Sequence, residues 1–214
     1  MRTISPSLLS ADFTRLDQQL ALMEKIGAKR LHLDVMDGHF VPNFTFGPFI
    51  IEAIRRLTTI TLDSHLMMEK PHRYLKEFVV AGSDTVWVHA EASEDLRRDL
   101  ATIHELGAGA GVAINPDTDF DTLRPYLSDL DNVLIMSVFP GFGGQAFIES
   151  TLENMRKAVA ARRDHDFLIA VDGGVNLTTI DRVFDAGVDI AVVGSGLFDA
   201  PDIQQRYREL QGPA

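Results

Sequence analysis

The sequence predicts an α/β protein folded as a (β/α)8 TIM barrel, and three observations carry that prediction. Short apolar runs recur eight times, stretches of helical period separate them, and no Ser/Gly/Pro-rich linker divides the chain. The runs are 3–8, 30–36, 60–67, 85–89, 111–115, 133–138, 167–172 and 190–194. Most are rich in Val, Ile and Leu, as strands buried on both faces should be. The intervening stretches are 12–26, 72–81, 94–106, 118–127, 147–162, 178–186 and 201–210. In the first of them Phe13, Leu16, Leu20, Met23 and Ile26 fall near the helical repeat. Asp12 and Asn176 stand where helix N-caps are expected, and Gly27, Gly82, Gly107 and Gly187 where helices end. A doubly wound open sheet is the alternative. It usually has fewer strands, and no GxGxxG follows the first apolar run. Residues 1–214 therefore read as one barrel domain.

Composition limits the function classes. The chain has 214 residues, 45% hydrophobic and 24% charged, which is ordinary for a folded domain. It has no cysteine, so disulfide and thiolate chemistry are excluded, and a reducing, cytoplasmic setting is expected. The N-terminal MRTISPSLLSADF lacks the apolar stretch of a signal peptide, and no run is long enough to span a membrane. A net charge of −11 argues against nucleic-acid and anionic-membrane partners. An anionic small molecule would need a local site built for it.

In a barrel, chemistry belongs at the carboxyl ends of the strands. The second run reads LHLDVMDGH, and strand alternation points His32 and Asp34 the same way. The third reads LDSHLM, which aligns Asp63 with His65, and the seventh ends in Asp172. Ionisable groups inside apolar strands are costly unless paired or bound to metal. Two imidazoles and two carboxylates converging from three strands could hold one divalent ion, and nitrogen and oxygen donors suit Zn²⁺, Fe²⁺, Mn²⁺ or Co²⁺. The bland alternative is a set of core pairs such as Asp63 with His32. His89 reads as structural, while Asp37 and His39 lie in a loop and would face ligand or solvent. His72, His104 and His165 read as solvated.

A second signal is glycine. Pro140-Gly141-Phe142-Gly143-Gly144-Gln145 follows the sixth run and is expected to open a helix near Phe147. Gly173-Gly174 follows the seventh and Gly194-Ser195-Gly196 the eighth. Exposed backbone N–H groups in such loops can cradle a phosphate, which answers how an acidic protein binds an anion. Lys25, Lys29, Lys70, Lys76 and Lys157 all fall outside the runs, which disfavours a Schiff-base aldolase or a lysine-dependent decarboxylase.

The segments SPSLLSADF (5–13), HLDVMDGHFVPNFTFGP (32–48), DSHLMMEKP (63–71), PGFGGQAFI (140–148), VDGGVN (171–176) and VVGSGLF (192–198) together resemble the ribulose-phosphate 3-epimerase family. The resemblance spans nearly the whole chain and implies a ribulose-phosphate-binding barrel. It implies metal ligands at His32, Asp34, His65 and Asp172, and acid/base residues at Asp34 and Asp172. Substrate contacts are implied at Ser7, His65 and Asp172, with phosphate held by Gly141, Phe142, Gly143, Gly144, Gly173, Gly174, Ser195 and Gly196. Met36, Met67 and Met136 match methionines lining the reaction site, whereas Phe139 stands where the family usually has a polar residue.

The implied activity is inversion at C3 between D-ribulose 5-phosphate and D-xylulose 5-phosphate through an enediolate, in the pentose phosphate pathway. The implied cofactor is one divalent metal ion per chain, and the implied assembly a homo-oligomer, dimer or hexamer. Two rivals are a D-allulose-6-phosphate 3-epimerase and a non-catalytic phosphate-binding barrel.

Overall fold

The computed structural model describes residues 2–212. Eight parallel strands run round a ring in the order β1-β8-β7-β6-β5-β4-β3-β2. They are β1 (Thr3–Pro6), β2 (Arg30–Met36), β3 (Thr61–Met67), β4 (Thr85–His89), β5 (Gly109–Ile114), β6 (Asn132–Met136), β7 (Leu168–Asp172) and β8 (Ile190–Val193). A parallel bridge between Ser7 and His32 brings the end of β1 against β2 and nearly closes the barrel. Because every pairing is parallel, all the carboxyl ends meet at one rim. Each of the eight apolar runs supplies one strand.

Around the ring lie α1 (Leu16–Lys25), α2 (Pro48–Arg55), α3 (Leu75–Val80), α4 (Leu96–Glu105), α5 (Leu152–Ala161), α6 (Ile180–Asp185), α7 (Ser195–Phe198) and α8 (Ile203–Gln211). Their apolar faces, such as Leu20 and Met23 of α1 and Ile51 and Ile54 of α2, pack on outward strand side chains such as Leu31, Leu33 and Val35. Gly27, Gly82, Gly107 and Gly187 follow helix ends with positive φ, as the sequence leads one to expect.

Two helical expectations need correction, and one helix stands where none is expected. The stretch 118–127 forms a 3-10 turn, Phe120–Tyr126, instead of an α-helix. Pro125 inside it has no N–H to donate, and its ring would collide with the carbonyl one turn back. Helix α2 lies between the second and third runs, where no helical stretch is expected; Pro48 at its first turn sets φ where no donor is needed. The helix expected from Phe147 starts only at Leu152, after a 3-10 turn at Glu149–Thr151. Ile148 N–H donates to Ser137 O at 2.8 Å, which ties this segment to the end of β6 and holds it out of helix. Asp12 likewise caps a 3-10 turn, accepting from Thr14 N–H at 3.0 Å, before α1 begins.

Side chains facing into the barrel divide it in two. Trp87, Ala113, Leu134, Met136, Ala170, Ile190 and Val192 form an apolar cluster from β4 to β8. The indole of Trp87 fits because β5 carries Gly111: a Cβ there would stand 1.8 Å from Trp87 Cδ1. The other half of the interior is polar, with Ser5, His32, Asp34, Asp63 and His65 all buried. At its base Arg30 donates twice to Asp63, at 2.7 and 2.5 Å, and once to Thr85 Oγ1 at 2.9 Å. Asp63 thus pairs with Arg30 and not with His32. Removing Arg30 would strand a buried carboxylate, a change that typically costs about 3–5 kcal/mol.

Candidate metal centre and substrate cleft

Strand register builds the polar cluster. β2 and β3 pair so that His32 lies opposite Asp63 and Asp34 opposite His65. Alternation then sends His32, Asp34 and His65 inward, and Asp172 reaches them from the end of β7. One donor atom from each of the four lies within 4.8 Å of all the others. His32 Nε2 is 3.3 Å from His65 Nδ1, 3.3 Å from Asp34 Oδ1 and 3.8 Å from Asp172 Oδ2. His65 Nδ1 is 3.2 Å from Asp34 Oδ1 and 3.8 Å from Asp172 Oδ2. Both imidazoles are fully buried, Asp34 nearly so, and Asp172 is half-buried at the mouth.

These contacts spread the acidities apart. Burial raises the Asp34 carboxyl, but His32 and His65 beside it outweigh burial and hold it far below the usual carboxylate range. Burial and the charge of Asp34 act together on Asp172 and push it up to about 7. Burial lowers His65 to about 3, helped by the neighbouring His89 and His32 and opposed by the hydrogen bond to Asp34. Burial opposes protonation of His32 as well, yet Asp34 and Asp172 raise it overall. Asp34 is further fixed by Ser7, whose hydroxyl donates to its Oδ2 at 2.6 Å.

Above the cluster opens a cleft lined by Ser7, Asp34 and Asp172 at its floor and by Met36, Met67 and Met136 along its side. The wall also includes Gly141, Phe142, Gly143, Gly144, Gly173, Gly174 and Ser195. The loops after β6, β7 and β8 therefore converge on one place. A Cβ at Gly144 would lie 4.0 Å from Ser195 Oγ, and one at Gly174 would lie 2.5 Å from Phe147 N. With φ at +64, Gly174 is a position at which any side chain would be strained as well as crowded. Asn43 Nδ2 donates to Gly141 O, and Gln145 Nε2 donates to Phe139 O and Phe142 O, so three carbonyls of the first loop are already occupied. Among the described residues, no hydrogen bond uses the N–H groups of Gly141, Phe142, Gly143 and Gly144. Because α5 starts at Leu152, the PGFGGQ loop offers its own amides and no helix terminus.

Pro140, Gln145 and Gly194 line the cleft too, whereas several other residues marked in the sequence fall outside it. Gly196 sits behind it, where a Cβ would meet Val175 O at 2.5 Å, so it allows α7 to pack against the preceding loop. His65 lies below the cleft with the buried cluster. Phe139 is 52% exposed at the rim. Asp37 accepts from the N–H groups of His39, Phe40 and Glu69, tying together the loops after β2 and β3. His104 bonds to Asp131 at 2.8 Å on the surface. None of Lys25, Lys29, Lys70, Lys76 and Lys157 lines the cleft.

Sequence reasoning passed over one residue. Glu91, two positions past β4, is within 3.2 Å of His89 Nδ1, and His89 in turn abuts His65. Burial would raise Glu91, but bonds from His89, Thr118 and the Asn115 N–H hold it down at about 2. The H-x-E spacing gives no hint of this, because the link to His65 crosses strands.

Among the described residues no helix is long and apolar enough to cross a membrane. Two solved structures from Pyrococcus furiosus share the barrel at low identity. A mutant tryptophan synthase alpha-subunit has a TM-score of 0.74 at 15% identity, covering 99% of this chain and 98% of that one. A thiamine phosphate pyrophosphorylase has a TM-score of 0.66 at 14% identity, with 98% and 93% covered. Much nearer in sequence is the ribulose-phosphate 3-epimerase of Bacillus subtilis strain 168, 45% identical over 99% of both chains. That of Synechocystis is 46% identical over 93% of this chain and 88% of the relative. That of Escherichia coli K12 is 42% identical over 97% and 94%. Residues 3–198, which include every strand and all four cluster donors, match the description "Ribulose-phosphate 3 epimerase family". The chain belongs to the ribulose-phosphate 3-epimerase family.

Proposed function

We propose that this chain is an isomerase that interconverts D-ribulose 5-phosphate and D-xylulose 5-phosphate by inverting C3. The observation that carries the proposal is the pair Asp34 and Asp172. They stand three strand positions apart around the ring and face one cleft with opposed acidities. In the metal-free protein the flanking imidazoles hold Asp34 far below the usual carboxylate range, and burial with the charge of Asp34 pushes Asp172 up to about 7. Inversion needs one base and one acid on opposite faces of a planar intermediate. Two carboxylates whose environments separate their acidities supply that pair.

The proton beside the C2 carbonyl leaves to one carboxylate, and the enediolate that results takes a proton from the other. The reverse reaction exchanges the roles of Asp34 and Asp172. Ser7, donating to Asp34 Oδ2, holds that carboxylate in place at the floor of the cleft. The amides of the three glycine loops would hold the phosphate and so set which carbon lies between the carboxylates.

The buried donor set fits a divalent metal. Two imidazole nitrogens face each other at 3.3 Å with two carboxylate oxygens around them, an arrangement that calls for a shared positive charge. His32, Asp34, His65 and Asp172 would hold it, and their N2O2 chemistry suits Zn²⁺, Fe²⁺, Mn²⁺ or Co²⁺. Such an ion supplies positive charge beside the oxygens of the enediolate. A cytoplasmic setting, a role in the pentose phosphate pathway and a dimeric or hexameric state belong to the same reading, and Phe44 and Phe49, 73% and 75% exposed, offer apolar surface for assembly. Incubating the protein with D-ribulose 5-phosphate tests the proposal: D-xylulose 5-phosphate should form, and its absence would overturn it.

A further inference from the structure

His65 has a second ring nitrogen that the cluster does not use. Its Nε2 points away from Asp34 and lies 2.8 Å from His89 Nε2. The other nitrogen of His89, Nδ1, lies 3.2 Å from Glu91 Oε2. Both imidazoles are fully buried, so water cannot supply a missing donor or acceptor. The far oxygen of Glu91, Oε1, accepts from the Asn115 N–H at 2.7 Å and from the Thr118 hydroxyl.

Proton counting along this line has one solution when a cation sits at His65 Nδ1, the reading given above. A neutral His65 bound there carries its proton on Nε2. Two ring nitrogens 2.8 Å apart share one proton, so His89 Nε2 must accept it. Neutral His89 then carries its own proton on Nδ1, and that proton needs an acceptor. The Glu91 carboxylate is the acceptor in place. We propose that Glu91 and His89 are positioning residues that fix the tautomer of His65, so that Nδ1 presents a lone pair to a divalent metal. This rests on the metal reading of the cluster. Neither residue touches the cleft, and neither is one of the four donors.

The hydrogen bonds on Glu91 make the proposal sharp. In Glu91→Gln, the amide oxygen is kept on the side of its two donors, Asn115 N–H and Thr118. The NH2 group then faces His89 Nδ1, which has to accept. The His89 proton moves to Nε2 and confronts the Nε2 proton of a metal-bound His65. Turning the amide over instead strands the Asn115 and Thr118 donors. Either way the metal-bound state is destabilised by exchanging one carboxylate oxygen for NH2, which leaves side-chain volume nearly constant.

The test is Zn²⁺ affinity by chelator competition on the full-length protein, with melting of the metal-free protein as a fold control. Wild type should bind Zn²⁺, Glu91→Gln should bind at least about tenfold more weakly, and Thr118→Val, which keeps the carboxylate, should bind as wild type does. Nitrogen-15 NMR of the Zn²⁺-loaded wild type should find the His89 proton on Nδ1 and the His65 proton on Nε2. A wild type that binds no Zn²⁺ would fault the metal reading itself. Equal affinity in Glu91→Gln, equal losses in Glu91→Gln and Thr118→Val, or a His89 proton on Nε2 would each overturn the relay. The NMR result decides the matter even if Glu91→Gln fails to fold.

Discussion

Asp34 and Asp172 share one imidazole: Asp34 Oδ1 lies 3.3 Å and Asp172 Oδ2 3.8 Å from His32 Nε2, although β2 and β7 are three places apart in the ring. The buried site and the charge of Asp34 hinder ionisation of Asp172, whose carboxyl is pushed up to about 7.

Asp34→Asn and Asp172→Asn should each lower kcat by at least about a hundredfold, the lower end of what a positioned acid or base contributes. An amide neither takes nor gives the proton. A variant lacking one carboxylate should still exchange the C3 proton of one epimer with solvent deuterium, because the other side is intact. Near-normal turnover in either variant would remove the two-base assignment.

Stability of the metal-free protein should depend on pH through Asp172. Its acidity in the fold is raised to about 7 from an ordinary 3.8. A raised carboxyl contributes stability that is full below the unfolded value and is lost as pH rises through the folded one. Asp34 has the opposite sign, and its contribution is present above 3.8 and lost only in strong acid. The difference in melting temperature, Asp172→Asn minus wild type, should therefore grow as pH rises from about 5 to about 8. A difference independent of pH would contradict the raised acidity.

Two glycines should respond differently to alanine. Gly143 has no neighbour nearer its would-be Cβ than Ser10 Oγ at 3.8 Å, so Gly143→Ala should fold normally. If the amides of this loop cradle phosphate, a methyl there should raise KM about tenfold with kcat little changed. Gly174→Ala instead meets Phe147 N at 2.5 Å at a φ of +64 and should cost about 1–3 kcal/mol of stability. Thermal melting and steady-state kinetics on both variants check this, and an unaltered KM in Gly143→Ala would remove that loop from the anchor.

The chain should prefer D-ribulose 5-phosphate to D-allulose 6-phosphate by at least about tenfold in kcat/KM, equivalent to about 1.4 kcal/mol. An extra carbon shifts the phosphate relative to Asp34 and Asp172, while Gly173 and Gly174 in the cleft wall are fixed by close packing against Val138 and Phe147. Both constants measured on one preparation decide it, and a preference for the hexulose would assign the chain to that neighbouring activity.

Much of this was legible in the chain itself, for physical reasons that differ by element. The strands stood out because both their faces are buried, so Val, Ile and Leu run continuously and the exceptions, His32, Asp34 and His65, mark themselves. Helix α2 did not stand out, because Gly47 and Pro48 punctuate it and only Ile51 and Ile54 are buried. The residues before α5 looked helical because local pattern does not register Ile148 bonding to Ser137 across the end of β6. Glu91 was invisible for a related reason: its connection to the cluster passes through His89 to His65 on a neighbouring strand.

The most direct test of the account is the reaction of wild-type protein with D-ribulose 5-phosphate in deuterium oxide, followed at C3 by proton NMR and mass spectrometry. If Asp34 and Asp172 work from opposite faces, the proton removed and the proton delivered belong to different carboxyls, and the delivered one comes from solvent. Early in the reaction the D-xylulose 5-phosphate should carry one deuterium at C3. Product that retains the original hydrogen would mean that a single group carries it from one face to the other, and the two-carboxylate account would be wrong.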